Sequence, residues 1–197
     1  MIADPQVRIR TTEVLFAGWA TLKRVRFDYR RRDGAWQAQE RLTVDVGEAA
    51  AVLPYDTARG TVLLARQFRL PATLAGESGF LLEACAGKLD ADDAETCARR
   101  EAEEELGYRL GPLERLFELF MSPGAMTERI AFFLAPYSPA DRASDGGGHA
   151  HEGEDIEVIE TPFAEAMAMI ASGAIVDAKT IILLQQLALS GRMRAAT

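Results

Sequence analysis

Asp92-Asp93-Ala94-Glu95-Thr96-Cys97-Ala98-Arg99-Arg100-Glu101-Ala102-Glu103-Glu104-Glu105-Leu106-Gly107 is written as a helix, and two of its acids fall on the face that ought to be apolar. Asp92 can cap a helix that begins near Asp93, Glu95 stands three residues on as the partner of a capping box, and Gly107 sits at the C-terminal stop. At about 100° per residue, Ala94, Ala98, Ala102 and Leu106 make a small, apolar stripe. Thr96, Arg99, Arg100 and Glu103 lie opposite it or on its flank. Glu101 and Glu105 do not join the solvent side; they fall beside Ala94 and Ala98, at the edge of the stripe that faces the protein.

Two like charges one turn apart cost about 0.2–0.5 kcal/mol on an exposed helix. For a partly buried pair at roughly 6 Å and an effective dielectric of about 20, Coulomb's law raises this to about 3 kcal/mol. A hard divalent cation with oxygen ligands would neutralise such a pair, and Glu104, about 60° from Glu101 on the wheel, can complete a three-carboxylate cluster. The other reading is a solvated acidic face, ordinary in a chain with 30 Asp and Glu. The wheel alone leaves both open.

Working outward, Thr21 to Tyr29 and Ala35 to Val46 alternate apolar and polar residues on either side of an Asp33-Gly34 turn, which predicts a hairpin. Ala49 to Pro54 and Thr61 to Phe68 flank a second turn, DTARG. Leu81 to Cys85, Leu116 to Phe120, Ile130 to Ala135 and Ile156 to Glu160 read as short strands, and Pro162 to Ala171 and Ala178 to Leu189 as further helices. Pro71 to Gly79 and Ser138 to Asp155 read as loops. Strands and helices mix without a regular βαβ period, so the expected class is α/β, a mixed sheet covered by helices, and not a Rossmann or TIM architecture.

The 197 residues suit one domain, or one domain with a small extra lobe. Twenty-two Lys and Arg against 30 Asp and Glu leave a net charge of -8, so neither nucleic acid nor an anionic membrane is an expected partner. Cys85 and Cys97 match no metal or redox spacing and read as core residues. The opening MIADPQVRIR lacks the apolar centre of a signal peptide, and no apolar run approaches the roughly 18 residues needed to span a bilayer. A cytoplasmic protein is expected.

Gly87, five residues, Asp93, then Arg100-Glu101-Ala102-Glu103-Glu104-Glu105-Leu106-Gly107-Tyr108 resembles the box of the Nudix hydrolases, G-x5-E-x7-R-E-U-x-E-E-x-G-U with U apolar. It departs from that form at Asp93, where Glu is usual, and in the six residues between Asp93 and Arg100; the R-E-x-x-E-E-x-G spacing is intact. Leu82 to Gly87, Leu116 to Gly124, Thr127-Glu128, and Gly146-Gly147-Gly148 followed by Glu154-Asp155-Ile156-Glu157 are similar to the GDP-mannose pyrophosphatase branch of the ADP-ribose pyrophosphatase-like Nudix group.

The resemblance implies an α/β/α sandwich, with residues 1–46 as an N-terminal β subdomain for dimerisation and 47–197 as the hydrolase domain. It implies Mg²⁺, with Mn²⁺ as a substitute, held by the carbonyl of Ala86 and the carboxylates of Glu101, Glu105 and Glu154. Glu152 competes with Glu154 for the role of the loop carboxylate. Glu104 and Arg100 belong to the same catalytic cluster. Arg69, Glu128 and Lys179 fall at substrate-contacting positions, and Trp19 and Arg41 would reach across a homodimer to the nucleotide. Two duller readings stay open, Arg69 as a strand-end surface charge and Lys179 as a solvated helix-start charge. His149 and His151 are either solvated or assist proton transfer. The implied reaction is hydrolysis of a nucleoside diphosphate sugar, GDP-mannose first, with ADP-ribose or a non-catalytic sensor role as alternatives.

Overall fold

The expected hairpin is part of a three-stranded antiparallel sheet, β1 (Val7–Ala17), β2 (Thr21–Arg30) and β3 (Trp36–Asp45), in that order. The structure, a computed structural model, describes Asp4 to Met193, the side chain of Glu152 excepted. β1 escapes a reading by alternation because its register against β2 slips between Ile9 and Thr11 and again between Val14 and Phe16. Each slip moves the later residues to the other face and breaks the period of two. Gly34 supplies the turn to β3 with a φ of +86°. This sheet forms one compact unit with Phe120–Arg129, whose Ala125–Thr127 segment hydrogen-bonds both backbone groups of Val44.

The second unit is built on a seven-stranded mixed sheet. Its strands are β4 (Ala49–Asp56), β5 (Thr61–Phe68), β6 (Phe80–Glu83), β7 (Cys85–Lys88), β8 (Glu114–Phe120), β9 (Arg129–Pro136) and β10 (Glu157–Pro162). The main path runs β10-β5-β4-β9-β8, with β4 and β9 parallel. β4 is buried along its whole length, as its AAAVLPYD composition requires of a central strand.

β4 and β5 pair only beside their turn, at Tyr55 with Val62 and Asp56 with Thr61, and then part. β6 continues the pairing on β5, and β7 takes over on β4. The single strand expected over Leu81–Cys85 is therefore two, split at Ala84, where the chain changes partners and the Ala84 N–H donates instead to Thr180 Oγ1 at 2.6 Å.

Helix α1 (Leu70–Leu74) occupies part of the stretch expected as loop. α2 (Ala94–Glu101) packs Cys97 and Ala98 into a core with Ala50, Val52, Leu63, Ala65 and Phe133. Its small residues allow close approach to β4 and β7. α3 (Phe163–Ser172) and α4 (Ala178–Leu189) follow at the expected places, and Leu183, Leu184 and Leu187 of α4 are fully buried. Truncating one of these leucines to Ala would cost about 2–5 kcal/mol.

Candidate active site

The helix of the box does not run uniformly to Leu106. After Glu101 it widens into one turn of π-helix over Ala102–Leu106, and Gly107, at φ +77°, ends it in the left-handed region. Its N-cap is Asp93, one residue later than expected; the carboxylate accepts the N–H groups of Glu95 and Thr96 at 3.0 Å, and Asp92 is freed to meet Arg100. Because the helix stops at Gly107, the carbonyls of Glu104 and Glu105 have no helical donors, and Gly148 and Gly147 supply them at 3.1 and 2.9 Å. The triglycine is thus docked on the helix end. An ideal Cβ on Gly146 would stand 2.5 Å from the Glu105 carbonyl oxygen, so only glycine permits this approach.

Glu101 and Glu105 both point inward, with 8% and 2% of their surface exposed. Burial raises the carboxyl of Glu101, opposed by Arg100 and reinforced by the charges of Glu104 and Glu154. Burial likewise pushes Glu105 up to about 8; a hydrogen bond from the Cys85 thiol opposes this, and the charges of Glu101 and Glu154 add to it. Glu105 Oε2 also accepts the Ala86 N–H at 3.3 Å.

Arg100 is the chief cation here. Its guanidinium lies 2.9 Å from Glu101, 3.0 Å from Glu104 and 3.1 Å from Asp92. Glu104 also stands 3.3 Å from His149 Nε2, and the N–H of His149 donates to Glu154 Oε2 at 2.8 Å. Ala86, Arg100, Glu101, Glu104, Glu105 and Glu154 therefore form one constellation, and His149 is tied to it by two contacts. The side chain of Glu152 lies outside the described residues.

Among the described residues, no three His, Cys, Asp or Glu side chains already converge on one metal-sized point. The fit to a divalent cation rests on the donor set: hard oxygens only, two of them on buried carboxylates with too little positive charge beside them. Gly87 supports the same fit, because the Glu101 carboxylate fills the space a side chain there would take.

A second cluster stands at the N-cap of α1, the end of β6 and the start of α4. Arg69 donates to both oxygens of Glu83, at 2.8 and 2.9 Å, and Lys179 donates to Glu83 and, at 3.0 Å, to Asp177. Lys179, with 12% of its side chain exposed, is not a solvated charge, whereas Arg69 is a 41% exposed charge just past the end of β5, held by a buried partner. Arg69 also feels the charge of Glu105, which links this cluster to the first. On β5, two residues before Arg69, the buried Nε2 of Gln67 has no hydrogen-bond partner among the described residues.

The other expected contacts belong to the first unit. Trp19 is 79% exposed at the turn between β1 and β2. Arg41 lies on β3, donates to the Glu40 carbonyl at 2.8 Å, and lines a cavity of about 320 Å³ with Ile9, Phe27 and Pro123–Thr127. Glu128 is half-buried in the segment that accompanies this sheet.

Residues 46–184 match the model of the NUDIX domain. The chain belongs to the NUDIX family. Residues 6–43 of this Nudix protein match a second model, the N-terminal domain of the GDP-mannose pyrophosphatase NudK. A GDP-mannose pyrophosphatase of Pectobacterium atrosepticum is 50% identical to it over 88% of this chain and 89% of the relative. One of Escherichia coli is 46% identical over 95% of this chain and 98% of the relative. A crystal structure of an ADP compounds hydrolase superposes with a TM-score of 0.71 at 20% identity, covering 98% of this chain and all of the other, which speaks for the fold.

Glu83 and Asp177 are the members of this second cluster that reading by motif misses. Glu83 interrupts the apolar run Leu81-Leu82-Glu83-Ala84-Cys85. A lone acid inside a strand was the available signal.

Proposed function

We propose that this chain hydrolyses the phosphoanhydride of nucleoside diphosphate sugars, converting GDP-mannose to GMP and mannose 1-phosphate, as a Mg²⁺-dependent cytoplasmic homodimer with Mn²⁺ as a substitute. One observation carries this reading: a pair of buried, undercompensated carboxylates on one turn of the box helix, in a chain 46–50% identical over most of its length to proteins named for that reaction. No helix among the described residues is long and apolar enough to cross a membrane.

The Ala86 carbonyl with Glu101, Glu105 and Glu154 would hold the cation, which when bound supplies neutralisation of phosphate oxygens and a sink for charge on the leaving phosphate. Water adds to one phosphorus as the bridging P–O bond breaks. The bridging oxygen departs with the electron pair, a carboxylate takes the proton lost by the water, and two phosphomonoesters result. Glu154, tied to His149, with Glu152 as its competitor on the loop, and Glu104, tied to Arg100, are the candidate proton acceptors. Arg100 acts by positioning Glu101 and Glu104. Arg69 and Lys179 donate to substrate oxygens, and Trp19, Arg41 and Glu128 contact the nucleotide sugar, Trp19 and Arg41 across the dimer.

A sensor without catalysis would have no need of the repulsion that Glu101, Glu104 and Glu105 maintain. The deciding experiment offers GDP-mannose, ADP-ribose and other nucleoside diphosphate sugars in parallel, with Mg²⁺ and after chelation, using Glu105→Gln as the blank. Phosphomonoester release fastest from GDP-mannose, and lost in both controls, supports the reading. Equal release by the Glu105→Gln blank refutes the site, and faster turnover of ADP-ribose refutes the substrate.

A further inference from the structure

We propose that Glu83 is a positioning residue for this hydrolysis, holding Arg69 and Lys179 in fixed directions while cancelling their charge. The inference rests on the hydrolase reading above. Glu83 lies at the end of β6, where β4 and β5 have parted, and only 2% of it is exposed. Both of its oxygens are engaged, Oε1 by Arg69 Nε and Oε2 by Arg69 Nη2 and by Lys179.

The contacts close a ring. Lys179 reaches on to Asp177, Asp177 caps α4 by accepting the Thr180 N–H at 3.0 Å, and Thr180 Oγ1 accepts the N–H of Ala84, the residue next to Glu83. The strand split and the start of α4 are locked together through the group that orients the two cations.

Two acids and two bases sum to zero, so this cluster offers an anionic substrate direction and little net attraction. The arginine is half-open to solvent, and its Nη1 has no acceptor among the described residues. The third ammonium hydrogen of Lys179 also has no acceptor among the described residues. Each cation therefore keeps a donor for a phosphate or sugar oxygen, in a direction set by Glu83. A buried ionic cluster is a weak device for stability alone, since apolar residues of similar volume serve as well. Its value lies in orientation.

The test compares the full chain with its Glu83→Gln variant in steady-state hydrolysis of GDP-mannose at saturating Mg²⁺, below the unfolding transition of both proteins. The expected result is a fall in kcat of about tenfold or more, with KM unchanged or lower, because an anionic substrate meets an added positive charge. The loss should not multiply with that of Arg69→Lys in the double variant. A purely structural Glu83 would lower the thermal midpoint and leave kcat and KM of the folded protein at wild-type values, or would give losses that multiply; either overturns the proposal. Should Glu83→Gln not fold, Glu83→Asp, which keeps the charge one carbon short, is expected to show the same reduced kcat at normal KM, and a wild-type kcat there overturns it. A wild-type chain that cleaves no nucleoside diphosphate sugar overturns the function and this role together, whereas an active wild type with an equally active Glu83→Gln overturns this role alone.

Discussion

The carboxylate of Glu101 lies where a side chain on Gly87 would begin: an ideal Cβ there would stand 2.0 Å from both its Cδ and its Oε1. Gly87 has no positive φ, so the glycine is required for space and not for backbone freedom. Gly87→Ala should drive Glu101 from its place, lowering kcat about a hundredfold and costing about 1–3 kcal/mol of stability through overpacking. Kinetics, Mg²⁺ titration and denaturant unfolding would check this. Unchanged metal affinity and turnover would show that Glu101 need not occupy this place for the proposed metal binding.

The inward turn of Glu101 and Glu105 was legible because α2 obeys a period of 3.6 up to Glu101, and the four-residue step to Glu105 keeps both acids on one side even across the wide turn. The π-turn itself was not, since five residues are too few to separate the two helical periods. The bulges of β1 hid a strand, and the change of partner at Ala84 hid a split. Lys179 was visible as a charge at a helix start, but its partners are distant in sequence, and Glu83 is ninety-six residues away. Long-range ion pairs leave no local period.

Gly146 and Gly148 should separate stability from turnover. A methyl on Gly146 would meet backbone, the Glu105 carbonyl at 2.5 Å and the Leu106 carbonyl carbon at 2.7 Å, which cannot move without undoing the helix end. A methyl on Gly148 would meet chiefly the Glu154 side chain, with Oε2 at 2.4 Å. Gly146→Ala should therefore cost about 2–4 kcal/mol. Gly148→Ala should cost less, about 1–2 kcal/mol, while lowering kcat about tenfold through displacement of Glu154. Chemical denaturation and kinetics on both variants decide it, and the reverse ranking would break the account of the docked loop.

Acid should expose the Glu83 cluster. Burial by itself would raise this carboxyl, but the Arg69 hydrogen bonds, followed by the charges of Lys179 and Arg69, outweigh it and hold the group below its ordinary 4.5. A folded value below the unfolded one means that the unfolded chain binds more protons between the two. The stabilisation is then fully present above about 4.5 and is lost as pH falls through the folded value. In metal-free buffer the thermal midpoint of Glu83→Gln should lie below wild type at neutral pH, by an amount reflecting about 2–3 kcal/mol given the half-open Arg69. The two curves should draw together as pH falls from about 4.5 through the folded value of Glu83. Curves that stay parallel into acid would mean that Glu83 is not ionised in the fold.

Glu154→Gln isolates proton transfer from loop geometry. The wild-type carboxylate accepts the His149 N–H at 2.8 Å, and the Glu154 N–H donates to the His149 carbonyl at 3.3 Å. A glutamine carbonyl can accept the first bond and leaves the second untouched, so the turn on which residue 154 sits should survive along with the thermal midpoint. Only the charge and the proton affinity go. If Glu154 takes the proton from the attacking water, kcat should fall by about 10²–10⁴ with KM within about threefold of wild type. Glu152→Gln should then turn over normally. A raised KM with kcat intact would assign Glu154 to binding, and a large loss of kcat in Glu152→Gln would move the loop carboxylate two residues upstream.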